Sequence, residues 1–184
     1  MQFFSIRNLE INYALEIMLK PQDVFILLKL SVLNDTDWTY GNLASSVHMS
    51  ASEVHKGIKR ANHAGLIDLD DKKVNRKALF EFLSSGVQYA FYPERGRITR
   101  GMPTGLAARP SSYAASNLEN TAVWPDKYGN TKGYALKPLY KSVPSAAKED
   151  PELYNLLALT DAVRDGEPRE RDFAIGVLKR ELVD

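Results

Sequence analysis

Apolar residues return at three- and four-residue spacing from Ile6 to about Phe91 and again from Pro151 to the end, and that period is lost in between. Pro21 suits the first turn of a helix, where its missing N–H costs little. Behind it, Val24, Leu27, Leu28, Leu30 and Leu33 predict a strongly apolar helix that ends at "NDTD". Thr39 is a cap for a second helix, "YGNLASSVH", with Leu43, Ala44 and Val47 pointing one way. After a break at His48-Met49, Ser50 starts a third helix, and Glu53 completes a capping box of the S-x-x-E form. Val54, Ile58 and Ala61 recur on one face of that helix, and Gly65 ends it. "LIDLDDKKV" alternates around a charged turn and reads as a short hairpin. Asn75 then caps a fourth helix that carries Ala78, Leu79, Phe82 and Leu83 as far as Gly86.

From Tyr92 to Asp150 most of the prolines and glycines gather. Within this stretch "TAVWPDKYGNTKGYALKPLY" reads as two strands around a Gly/Asn turn, a hairpin whose Val123, Trp124, Tyr134 and Leu136 serve as core. The tail is a helical hairpin. Leu153, Leu156, Leu157, Leu159, Ala162 and Val163 line its first helix, "RDGEP" is the turn, and Phe173, Ala174, Val177, Leu178 and Leu182 line its second. Two helices cannot bury both apolar faces alone, so they pack either on their own domain or on a second subunit, with the second slightly favoured. The pattern predicts a mainly α chain with small β content. Its three segments are a helical domain over residues 1–91, a Pro/Gly/Arg-rich extension over 92–150, and the C-terminal helical hairpin over 151–184.

The chain has 184 residues, 44% hydrophobic and 26% charged, with a net charge of +1 and no cysteine. Disulfides, thiolate metal sites and a cysteine nucleophile are thereby excluded, and a reducing compartment is expected. The first twenty residues show no basic leader followed by an apolar block. The densest apolar run, "VFILLKLSVL", is interrupted by Lys29 and falls short of the roughly 20 residues a bilayer span needs. A cytoplasmic protein with no membrane partner is the expectation. A net charge so near neutral means that any affinity for nucleic acid depends on where the cations lie.

Those cations lie on the third helix and the hairpin after it. Two short helices, a tight turn and a brief hairpin form the skeleton of a winged helix-turn-helix, whose second helix enters the major groove with a polar outer face. The outward side chains are Ser52, His55, Lys56, Lys59 and Asn62, and Arg60 lies toward the edge, where it can reach a phosphate. Ser50 and Ser52 sit at the amino end, where free N–H groups and the helix dipole favour anions. The hairpin tip adds Lys72 and Lys73, followed by Arg76 and Lys77. From His48 to Lys77 seven basic residues face four acidic ones, a local surplus of three on a chain whose total is +1.

"LASSVHMSASEVHKGIKRANHAGLI" resembles the helix-turn-helix of bacterial winged-helix transcriptional regulators of the MarR type. The likeness rests on Leu43, Ala44, Val47, Ser50, Ser52, Val54, Ile58, Ala64, Gly65, Leu66 and Ile67 and covers about residues 21–74. His48 stands where that turn usually has glycine, and Ala61 replaces a late core leucine. The resemblance implies a module that binds double-stranded DNA, commonly as a homodimer and as a repressor. On this reading Ser50, Ser52, His55, Lys56 and Lys59 enter the major groove, while Arg60, Lys72, Lys73 and Arg76 hold phosphates. The alternative is a protein-binding adaptor or antitoxin-like module, with the aromatic hairpin and the C-terminal helices as its surfaces.

"YPERGRITRGMPTGLAARP" carries Arg95, Arg97, Arg100 and Arg109. It lacks the Lys and Ser/Thr of a phosphate loop, because Met102 and Pro103 stand in their place. Either Arg95, Arg97 and Arg100 form an arm along the DNA backbone, or the segment is an ordered surface loop that packs Ile98, Met102 and Leu106 on the domain. Enzyme readings fail on inventory. The three histidines, 48, 55 and 63, lack the i, i+4 spacing of a zinc pair, and no nucleophile elbow or acidic catalytic pair is present. No catalytic residue, metal or cofactor is expected.

Overall fold

Pro21–Val32 forms α1, and from Asp23 to Ser31 every residue of it is buried. It is therefore a central rod, enclosed on all sides. The coordinates come from a computed structural model and describe residues 17–34, 38–109 and 121–184. The part of the helical pattern over residues 6–16 lies outside the described residues.

The local signals after α1 form as their chemistry requires. Thr39 Oγ1 accepts the Asn42 N–H at 3.2 Å and opens α2, Tyr40–Ser46. Ser50 Oγ accepts the Glu53 N–H and the Glu53 carboxylate accepts the Ser50 N–H, both at 3.2 Å, which opens α3, Ala51–His63. Gly65 sits at φ +71°, a left-handed end that glycine takes without strain. β1, Ile67–Asp68, pairs antiparallel with β2, Lys73–Val74, placing Ile67 opposite Val74. Asn75 Oδ1 accepts the Ala78 N–H at 3.1 Å and opens α4, Arg76–Ser85, which leads into the single turn of α5, Val87–Ala90.

The middle of the chain departs from expectation. Arg95–Pro103 is a nine-residue strand, β3, and not a surface loop or an arm, and Ile98 is 53% exposed and does not pack on the domain. Ladder hydrogen bonds decide this, and the glycine-rich composition hid them. A 3₁₀ turn, Gly105–Ala108, follows. β4, Ala122–Pro125, and β5, Thr131–Leu136, do not form a hairpin with each other: each runs antiparallel to β3, so the two lie parallel and the three strands close on one another. The connection of residues 126–130 makes this closure by passing over Gly101. A Cβ on Gly129 would lie 2.2 Å from the Gly101 carbonyl, and one on Gly101 would lie 2.1 Å from the Trp124 carbonyl oxygen. Neither position has room for a side chain.

α6, Val143–Glu149, and the antiparallel pair α7, Pro151–Asp165, and α8, Pro168–Leu182, complete the chain. The favoured cover for this pair, a second subunit, is replaced by the chain itself. Leu153, Leu157, Leu159, Val163, Ala174 and Leu178 are fully or almost fully buried in one core continuous with α1. Val123, Trp124 and Leu136 serve as core, as the pattern indicates. The Trp124 ring lies 5.8 Å from that of Tyr154 on α7.

Three polar links fix the assembly. Asp161 Oδ2 accepts from Thr104 Oγ1 at 2.8 Å and from Trp124 Nε1 at 2.6 Å, while Arg164 donates to Oδ1. Asp165 accepts from Arg95 at 2.8 Å and from the Tyr134 hydroxyl at 2.6 Å, tying the sheet to the end of α7. Lys29 of α1 reaches Asp150, the cap of α7, at 2.6 Å. The molecule is mainly helical with a small sheet, and no described helix is long and apolar enough to cross a membrane.

Candidate nucleic-acid interface

α3 lies against α1 at Gly57, where a Cβ would come within 2.7 Å of Ile26 Cδ1 and 2.9 Å of Asp23 Oδ1. Val54, Ile58 and Ala61 point into the core on the same side. The α2–α3 turn needs a left-handed residue, and His48 supplies it at φ 51°, the conformation a glycine would adopt there without cost. Its ring sits 3.1 Å from the Glu149 carboxylate.

The inner face sends the rest of the helix outward. Ser50, Ser52, His55, Lys56 and Lys59 are all exposed. Ser50 is nevertheless committed to its cap and to Glu53, leaving Ser52 as the serine with an uncommitted hydroxyl among the predicted pair. The hairpin tip is held beside this face by aromatic contacts that the residue pattern did not reveal. Trp38 Nε1 donates to the Lys72 carbonyl at 3.1 Å, and Lys72 Nζ lies 5.8 Å from the Trp38 ring. Trp38 meets Tyr40 edge-on at 5.3 Å, and Tyr40 meets His55 at 5.2 Å. A continuous row therefore runs from Lys72 to α3. Lys72 holds φ 58°, and Lys73 pairs in β2 opposite Asp68, with its side chain exposed.

Several predicted contacts are spent elsewhere. Arg60 is 4% exposed; its Nε donates to Asp23 Oδ2 at 2.7 Å and its Nη2 to Asp23 Oδ1 at 2.6 Å. It closes a bidentate ion pair between α3 and α1 and cannot reach a phosphate. Arg76 donates to the Ser31 carbonyl at 2.7 Å and to Asn34 Oδ1 at 2.6 Å, so it seals the end of α1 and does not reach outward. Arg95 is held by Asp165 and stacks 4.9 Å over Tyr134, which removes it from a DNA arm. Arg100 reaches the Gly129 carbonyl at 3.4 Å, and Arg97 stays exposed on the same strand.

The amino end of α3 is flanked by the segment before α6. The Tyr140 hydroxyl donates to Glu53 Oε1 at 2.6 Å, and Ser142 Oγ donates to the Val47 carbonyl at 2.6 Å. The Tyr140 and Ser50 hydrogen bonds hold the Glu53 carboxyl below the usual range, and the Tyr140 hydroxyl is pushed up to about 12 by the same carboxylate. Glu53 is thus a fixed anion that positions the helix end. Lys141, exposed beside it, adds a cation to the same side of the molecule. The assembled surface carries Ser52, His55, Lys56, Lys59 and Lys72, with the Trp38–Tyr40 rings as its backing. The exposed groups of this ridge are hydroxyl, imidazole and ammonium, beside the exposed carboxylates of Asp68, Asp70 and Asp71 on the hairpin.

The chain matches no family model, no curated protein and no solved structure.

Proposed function

We propose that the protein is a DNA-binding transcriptional regulator, in which α1 to α3 with the β1–β2 hairpin act as a winged helix-turn-helix and α3 enters the major groove. The observation that carries this reading is the ridge itself. Lys56, Lys59 and Lys72 form no ion pair with a described carboxylate, while Arg60, four residues from Lys56, is fully matched. Cations left open on a rigid, aromatically braced ridge support an external polyanion as partner. Ser52, His55, Lys56 and Lys59 then read or line the groove, and Lys72 with Lys73 holds backbone phosphates. A homodimer on a two-fold operator remains part of the proposal, but it draws no support from the C-terminal helices, whose apolar faces are used within the chain.

Selection of bound duplexes from a randomised library, followed by footprinting, tests the reading. Enrichment of one sequence with protection in the major groove is the expected result. Lys56→Ala should then weaken that duplex by about 1–3 kcal/mol, the worth of one good base contact. No enrichment, or unchanged affinity of the variant, would remove α3 from the groove.

A further inference from the structure

Between Thr121 and Asp150 the chain has five lysines and three acidic residues, and each of the three acids is already taken. Lys148 holds Asp126, His48 holds Glu149 and Lys29 holds Asp150. Lys127, Lys132, Lys137 and Lys141 are exposed and form no ion pair with a described carboxylate. Lys127 lies in the 126–130 connection beside Tyr128, whose ring is 76% exposed. Lys127 Nζ is 4.7 Å from that ring and Lys148 Nζ is 5.7 Å from it. Asp126 Oδ1 accepts the Tyr128 N–H at 3.0 Å, and Gly129 is seated on Gly101 with no space for a Cβ. The ring and its cations are thus held on a fixed connection. Next to them, Arg100 of β3 stands directly opposite Lys132 of β5, and both are exposed. Like charges in that position oppose strand pairing. An anion lying over both relieves the repulsion.

This patch adjoins the amino end of α3. Glu149, the neighbour of Lys148, sits 3.1 Å from His48 in the α2–α3 turn. Tyr140 reaches Glu53 at 2.6 Å, and the exposed Lys141 follows it. Each residue of a helix advances by about 100°, so positions 53 and 55 stand roughly 200° apart around the axis. Tyr140 at Glu53 and Tyr40 at His55 therefore bracket the outward face from opposite sides, with Ser52, Lys56 and Lys59 between them. A helix in the major groove has a wall of phosphates on each side. Lys72 of the hairpin stands toward one wall, and Lys141 with the 126–130 connection stands toward the other.

We infer that Lys127, Tyr128 and Lys132 hold phosphates of the same duplex on the flank opposite the hairpin, with Lys141 continuing the contact toward α3. Ammonium groups and a tyrosine hydroxyl are both donors to phosphate oxygens, and such contacts fix register without reading sequence. The inference rests on α3 entering the groove, and its test separates the two.

The test is fluorescence anisotropy of the full chain on a selected duplex across a salt series, with the double variant Lys127→Ala/Lys132→Ala beside Lys56→Ala. The double variant should lower the magnitude of the salt slope by about 1.8 and leave the preferred sequence unchanged, because both changes remove backbone contacts. Hydroxyl-radical footprinting should show protection lost on one flank alone. An unchanged slope and footprint in the double variant, while Lys56→Ala still weakens binding, would overturn the inference and leave α3 in the groove. A loss confined to single-stranded DNA would point to base stacking on Tyr128 and would overturn it too. No salt-dependent duplex binding by the unaltered chain would remove both readings.

Discussion

Charge is handled in opposite ways on the two sides of α3. Toward α1, Arg60 and Asp23 meet through two short hydrogen bonds and are almost entirely shielded from water. Away from α1, Lys56 and Lys59 stand exposed with no ion pair to a described carboxylate. One turn of helix separates the two arrangements. The matched pair holds the fold together, since a buried ion tolerates no vacancy beside it. The unmatched pair contributes little to folding, because exposed charges are solvated and surface ion pairs are worth about 0–1 kcal/mol at most. The contrast separates residues that build the molecule from residues available to a partner, although the sequence lists them side by side as "KRAN".

The comparison breaks most visibly at its buried half. Arg60→Ala leaves Asp23 as an uncompensated buried anion, and chemical denaturation should show a loss of about 3–5 kcal/mol. A Lys59→Ala variant should move the same midpoint by less than about 0.5 kcal/mol. Equal losses would erase the distinction. Gly57→Ala comes next: its methyl would press on Ile26 and Asp23, and overpacking of this kind costs about 1–3 kcal/mol despite the better helix propensity of alanine.

The smallest effect concerns pH. Glu53 is held low by Tyr140, and Asp126 by Lys148; Asp150, which burial alone would raise, is brought low by the Leu153 N–H and Lys29. Depressed carboxylates give stability that is present above their ordinary range and is lost as pH falls through the folded-state values. These three carboxylates should therefore contribute a decline in melting temperature below the ordinary carboxylate range, whereas Asp23, which burial raises, acts in the opposite sense. Tyr140→Phe, which frees Glu53, should make that decline shallower, and an unchanged acid profile would contradict the Glu53–Tyr140 link.

What was legible in the sequence was local. The caps at Thr39, Ser50 and Asn75 and the left-handed Gly65 act within a few residues, so spacing alone reveals them. His48 shows the limit of residue identity: it departs from the usual glycine yet adopts the glycine conformation. Residue spacing puts Arg60 on the outer edge of α3, because its burial depends on Asp23, 37 positions earlier. The Trp38–Tyr40 brace and the Tyr140 contact are likewise long-range, with only the aromatics of "DWTYG" to hint at the first. β3 was hidden for another reason. Its arginines and glycines carry no alternating pattern, and it is a strand because β4 and β5 close around Gly101. The C-terminal helices were legible as helices, but not which surface covers them.

The central claim is that the lysines of the ridge face a polyanion. Fluorescence anisotropy of a selected duplex across a salt series addresses it directly. Lys56, Lys59 and Lys72 together allow a slope of log affinity against log salt of up to about −2.7, and each lysine changed to alanine should lower its magnitude by about 0.9. A slope near zero, or one that stays the same when Lys56 and Lys72 are both replaced, would contradict the account and leave α3 a capped surface helix.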